Sequence, residues 1–97
     1  GKVVGMSGRL PEGLKIPHMG WNALQLTKPA KLLEEGSYVY FVHSFYAEDC
    51  PDSVAAVTDY GIPITAAVEQ GNIFGCQFHP EKSGNVGLEI LRKFCEI

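Results

Sequence analysis

Gly75-Cys76-Gln77-Phe78-His79-Pro80-Glu81-Lys82-Ser83 is the stretch in which a histidine and a carboxylate stand in a fixed, usable relation. Gly71-Asn72 reads as a turn and Ile73 to Phe78 as a short apolar strand, which places His79 at a strand end. Scaffolds commonly present chemistry there. Pro80 disfavours helical backbone at His79 and keeps it extended, so the side chains of His79 and Glu81, two residues apart, lean to the same side. Glu81 can then bond one imidazole nitrogen, fix the tautomer and leave the other nitrogen free as a base. Such a base with its orienting carboxylate lacks only a nucleophile. Spacing alone also suits an ordinary histidine beside a surface carboxylate, so a second signal has to decide.

Working backwards, Val54 to Tyr60, Ile62 to Glu69 and Asn72 to Phe78 are separated by turns at Gly61 and Gly71, the pattern of an antiparallel meander whose last strand delivers His79. In that strand Phe74, Cys76 and Phe78 share one face and Gly75, Gln77 and His79 the other, which turns Cys76 away from the base. Ser37 to Tyr46 is β-branched or aromatic almost throughout and is expected to be a central strand, covered on both faces for part of its length. Asn22 to Leu26 alternates as a strand, and Pro29 to Glu35 reads as a short helix opened by Thr27 and closed at Gly36. Residues 1–15 are expected to be mostly loop around Lys2-Val3-Val4, and Lys15 to Asn22 a loop holding the only tryptophan. Past Ser83-Gly84, Asn85 is expected to cap a helix from Val86 to about Glu96, with Ile90, Leu91 and Phe94 as its buried stripe beside Val86 or Gly87.

Composition narrows the function classes. The 97 residues suit one domain, and 45% hydrophobic content is enough for a core. A chain of this size buries only roughly 60–65% of its unfolded surface, so it should be marginal without help. A net charge of −3 and scattered Lys and Arg argue against a nucleic-acid or anionic-membrane partner. The longest apolar run is far short of the ~20 residues a membrane helix needs, and Gly1-Lys2-Val3-Val4-Gly5 lacks a signal-peptide layout, which together suggest a cytoplasmic protein. Cys50, Cys76 and Cys95 are odd in number and form no CxxC pair, which favours free thiols in a reducing compartment. No cofactor is implied, and His18 has no second ligand at metal spacing, so no metal site is expected.

The second signal is resemblance. Gly75 to Ser83 resembles the Gly-x-Gln-Phe-His-Pro-Glu-Lys-Ser signature of class I, triad-type glutamine amidotransferases, with one free position in nine. Pro17-His18-Met19-Gly20-Trp21-Asn22 is similar to a segment of the glutaminase subunits of imidazole glycerol phosphate synthase, and Tyr40 to Phe45 to that family's Tyr-Phe-Val-His-Ser-Tyr strand. The resemblance implies an α/β, flavodoxin-like three-layer fold with a mostly parallel central sheet. This chain would supply its C-terminal half, locally rich in antiparallel strands, with one parallel strand ending at Ser44 and a C-terminal helix. It further implies that His79 and Glu81 are catalytic and that backbone groups at Ser44 and Phe45 hold glutamine. His18, Met19, Trp21, Asn22, Tyr40 and Lys82 would then face the partner, a (β/α)8 barrel synthase subunit that receives ammonia. His43, with no carboxylate two residues away, is expected to be structural.

The family's nucleophile is a cysteine in a Gly-x-Cys-x-Gly strand-to-helix turn, and none of the three cysteines has that context. Cys50 follows two acids, Cys76 faces away from His79, and Cys95 lies in a last helical turn, where the dipole disfavours a thiolate. Residues 1–97 are therefore expected to be the C-terminal part of an amidotransferase domain, inactive without its nucleophile-bearing half and exposing apolar sheet surface. A binding module with a vestigial dyad, or another class I amidotransferase, is the alternative.

Overall fold

The computed structural model describes residues 1–97. The meander forms as its turns dictate. β6 (Val54–Asp59), β7 (Pro63–Gln70) and β8 (Ile73–Cys76) pair antiparallel, and β3 (Gln25–Leu26) adds to the β6 edge. Gly61 and Gly71 turn the chain with φ of 81° and 61°, conformations that side chains rarely adopt. A second ladder pairs β2 (His18–Ala23) with β4 (Tyr38–His43), and a third pairs β1 (Lys2–Gly5) with β5 (Phe45–Glu48), each antiparallel. The chain closes on helix α1 (Gly84–Cys95). No helix is long and apolar enough to cross a membrane.

One core joins these parts. Leu24, Leu32, Val39, Phe41, Ala56, Ala66, Ala67, Phe78 and Ile90 form a buried cluster drawn from both larger ladders and the helix. A smaller cluster of Met6, Tyr46 and Ile64 lies under β1 and β5. Strand alternation sends Val39, Phe41 and His43 of β4 inward and leaves Tyr38 exposed on the outer face beside Met19 and Trp21 of β2.

Five expectations need correction. Residues 29–35 form no helix, because the chain there bonds outward instead: Glu35 accepts the Leu26 amide at 2.9 Å, Glu69 accepts the Lys31 amide at 3.0 Å, and Leu24 O accepts the Gly36 amide at 2.9 Å. The loop expected over 15–22 becomes strand from His18 onward, since β4 offers it a full ladder partner. The strand expected over 37–46 breaks at Ser44, whose carbonyl accepts the Met6 amide at 2.9 Å as the chain passes into another ladder. Helix α1 begins at Gly84 rather than after Asn85, since Ser83 O already accepts the Gly87 amide at 3.2 Å. Its buried stripe is narrow: Gly87 and Ile90 are buried, whereas Leu91 and Phe94 keep about half their surface, Phe94 against Phe74.

Gly87 decides how near α1 can come to the residues that matter. A Cβ at this position would lie 1.8 Å from Pro80 O and 2.7 Å from the Pro80 carbonyl carbon, both backbone atoms that cannot step aside. Elsewhere in a helix, Gly to Ala stabilises by about 1 kcal/mol. Here Gly87→Ala is expected to destabilise the complete protein by about 1–3 kcal/mol through overpacking, read as a lowered Tm. An unchanged or raised Tm would show that the helix does not seat on the Pro80 carbonyl.

Candidate active site

β8 ends at Cys76, and the chain then leaves the meander for the other ladder. Gln77 still donates its amide to Ala66 O at 2.8 Å, Phe78 is buried edge-on against Phe41, and the His79 amide crosses to Tyr40 O of β4 at 3.0 Å. His79 is extended (φ −103°, ψ 99°), as Pro80 requires, and Pro80 to Lys82 make one 3-10 turn. That turn brings His79 Nδ1 to 3.2 Å from Glu81 Oε2. Glu81 is the one side-chain partner of His79, so Nε2 is left free. The Glu81 carboxyl is held below its ordinary range, first by its own backbone amide and also by His79 and Lys82, which keeps it ionised as an acceptor for Nδ1–H.

Ser83, which sequence reasoning passed over except as the end of a motif, locks this arrangement. Its buried hydroxyl donates to His79 O at 2.6 Å and accepts the Tyr40 amide at 3.0 Å. Both polar groups of the Tyr40 backbone are thus used by the His79 turn.

Ser44 and Phe45 lie just past the end of β4, beyond His43, which is close enough to His79 to feel its charge. The Phe45 side chain is exposed, while its carbonyl accepts His43 Nδ1–H at 2.9 Å. His43 is bound to a carbonyl and a second histidine, not to a carboxylate, in keeping with a structural part. Met19 and Trp21 are 60% and 53% exposed, and Trp21 packs edge-on to Tyr40 with ring centroids 6.0 Å apart. Lys82 is exposed on the turn that carries the dyad. Asn22 is half-buried and bonded to His18. His18 is different: strand alternation turns it inward to 1% exposure, stacked between Phe41 and Tyr60, so its side chain offers no surface to a partner.

The profile of class I glutamine amidotransferases matches residues 1–97. The chain belongs to the class I glutamine amidotransferase family. Among curated relatives it is similar to proteins named imidazole glycerol phosphate synthase subunit HisH. It is 57% identical to the one from Methanothermobacter thermautotrophicus, over 92% of this chain and 46% of that protein. It is 54% identical to that of Streptococcus sanguinis, over 99% and 48%, and 52% identical to that of Caldanaerobacter subterraneus subsp. tengcongensis, over 100% and 48%. The chain thus spans about half the length of these relatives.

Within this amidotransferase chain no cysteine bonds the dyad. Cys50, Cys76 and Cys95 are all free thiols, and partial desolvation, followed by the charge on Glu81, pushes the thiol of the surface residue Cys76 up, away from the thiolate a nucleophile needs.

The buried pair makes a pH prediction. Burial lowers the pKa of both His18 and His43 from the ordinary 6.5. The unfolded chain then binds protons that the folded one resists, so stability present above 6.5 is lost as pH falls below it, until the folded rings protonate. Thermal melts of the complete protein should show Tm falling below pH 6.5, with a shallower fall in the His18→Phe variant. A variant as pH-sensitive as wild type would count against this assignment.

Proposed function

We propose that these 97 residues are the C-terminal part of the glutaminase subunit of imidazole glycerol phosphate synthase, acting in histidine biosynthesis. The observation that carries this reading is the His79–Glu81 bond at 3.2 Å with Nε2 free, in a chain at least 50% identical over nearly its whole length to subunits of that synthase. Three free thiols fit the reducing cytoplasm.

The chemistry is acyl transfer from the side-chain amide of glutamine. A cysteine from the other half of the domain supplies the nucleophile. His79 Nε2 takes the thiol proton while Glu81, bonded to Nδ1, stabilises the resulting imidazolium. The thiolate adds to the amide carbon, and the tetrahedral intermediate collapses as His79 returns the proton to the departing ammonia. Water, deprotonated by the same nitrogen, then hydrolyses the thioester to glutamate and regenerates the thiol. Backbone groups at Ser44 and Phe45 hold the glutamine. Ammonia passes to the (β/α)8 barrel subunit, which docks against Met19, Trp21, Asn22, Tyr40 and Lys82. The exposed Trp21, packed edge-on to half-buried Tyr40, and the Lys82 charge are of the residue types that anchor interfaces.

Two measurements test this. The chain should show no glutaminase activity alone and should gain it when combined with the nucleophile-bearing half and the barrel subunit. In that assembly His79→Ala should lower kcat by on the order of 10²–10⁴-fold. Activity from the 97 residues alone would place the nucleophile among Cys50, Cys76 and Cys95, and an inert assembly with His79 intact would leave a binding module. Separately, Trp21→Ala should weaken binding of the barrel subunit by on the order of tenfold or more, measured by titration calorimetry. Unaltered affinity would move the docking face elsewhere.

A further inference from the structure

Three hydrogen bonds run in line across β2 and β4. His18 Nε2 lies 2.7 Å from Asn22 Oδ1, His18 Nδ1 lies 2.9 Å from His43 Nε2, and His43 Nδ1 lies 2.9 Å from Phe45 O. A carbonyl only accepts, so Phe45 makes His43 an Nδ1–H donor in every protonation state. The other end of the chain is an amide, which offers an acceptor on one side and a donor on the other. With Oδ1 toward His18, both end bonds consume a ring N–H and the central bond needs another. The two rings then share three protons and one positive charge. With the amide turned over, Asn22 Nδ2–H donates to His18 Nε2, His18 Nδ1–H donates to His43 Nε2, and all three bonds are complete with no charge. The turn sacrifices only the long Asn22 Nδ2 bond to Asp59 O, at 3.4 Å.

The surroundings select the uncharged form. His18 is stacked between Phe41 and Tyr60, at centroid distances of 4.9 and 4.0 Å, and both histidines are buried. No carboxylate pairs with either ring. Asp59 accepts the Gly61 amide, the Tyr60 hydroxyl donates to Lys15 O, and Glu81 is bonded to His79. Besides His18, the charge that reaches His43 is that of His79, which opposes a further proton.

What the pair holds is the backbone at the end of β4. Met6 N–H holds Ser44 O and so the peptide plane that carries the Phe45 amide, while His43 holds the next plane through Phe45 O. Two consecutive peptide planes are thereby fixed next to His43, itself within reach of the charge on His79. We propose that His18 and His43 act together as a positioning pair for the substrate, the uncharged pair setting the Ser44–Phe45 backbone in the orientation that receives glutamine. This rests on the glutaminase reading, in which that backbone holds the substrate. Neither ring touches glutamine. The pair acts through Phe45, and an added proton, by turning Asn22 and charging the rings next to His79, loosens the site.

The test is glutamine binding by titration calorimetry to the complete protein in complex with its barrel subunit. The parent for this test and every variant of it carry the intact nucleophile together with His79→Ala in the glutaminase subunit, so that glutamine turns over slowly and the titration of His79 is removed. His43→Leu, which loses the donor to Phe45 O, should weaken glutamine binding by on the order of tenfold, the loss of one hydrogen bond. His43→Asn places an amide N–H near the position of Nδ1 and should recover most of that loss. The parent should also lose affinity as pH falls below 6.5, whereas His43→Asn, with no proton to take at this position, should respond much less. Equal affinity of His43→Leu and parent would overturn the proposal, as would a His43→Asn variant as weak as His43→Leu, since packing alone would then explain both. If His43→Leu fails to fold, the affinity and pH response of His43→Asn decide. A parent that binds no glutamine would sink the glutaminase reading itself, and this inference with it.

Discussion

A single buried hydroxyl ties the turn that bears the dyad to the strand beside it. Ser83 donates to His79 O and accepts from Tyr40 N, while His79 N donates to Tyr40 O, so two hydrogen bonds span the gap between the end of the meander and β4 and a third closes the turn itself. Without them His79 would sit on a free loop past β8. A buried hydroxyl costs free energy unless it is bonded, and here it both donates and accepts, which makes the arrangement stable as well as specific. Gly87 completes the constraint from the other side by letting α1 rest against the Pro80 carbonyl. Strand, turn and helix thus meet at one point, and the His79–Glu81 geometry follows from that meeting.

The two faces of the β2–β4 ladder do different work. The inner face carries Val39, Phe41 and the His18–His43 pair, buried against the meander. The outer face shows Met19, Trp21 and Tyr38 to solvent, an apolar surface with no cover in this chain. Because strand alternation is strict, neighbours in the Pro17 to Asn22 motif part company: His18 goes to the core and Met19 to the surface. A motif that is compact in sequence is therefore split between packing and contact.

Much of the site was legible because its causes are local. Proline fixes the backbone before it, a two-residue spacing sets which side chains can meet, and glycines mark turns that other residues avoid; each acts within a few residues of chain. The meander followed from these alone, as did the possibility that His79 and Glu81 meet, whereas resemblance to the family signature was what pointed to catalysis. The larger failures share a cause too. Pro29 to Glu35 has helix-compatible residues, yet distant partners in Leu24, Leu26 and Glu69 claim its amides or its carboxylate. Lys15 to Asn22 looked like loop because of its proline and glycine, yet β4 gives it a ladder. Asn85 looked like a cap, but the helix had already begun off Ser83. In the first two cases a tertiary hydrogen bond outweighed a local preference worth about 1 kcal/mol, whereas in the third the helix's own Gly87 N–H to Ser83 O bond set its start.

By itself the sequence determined the antiparallel meander, the spacing that lets His79 and Glu81 meet, and the family to which the chain belongs. The first two rest on backbone restrictions and spacings that travel with the residues, and the third on the resemblance of Gly75 to Ser83 to the family signature. Only the tertiary structure decided that Ser83 and Tyr40 anchor the dyad, that Gly87 admits the helix, that His18 is buried, and that His18 and His43 meet across 25 residues of chain to hold Phe45. Those contacts join residues from different strands. Their formation depends on which elements pack together and on where buried polar groups find partners, and no local rule carries that information.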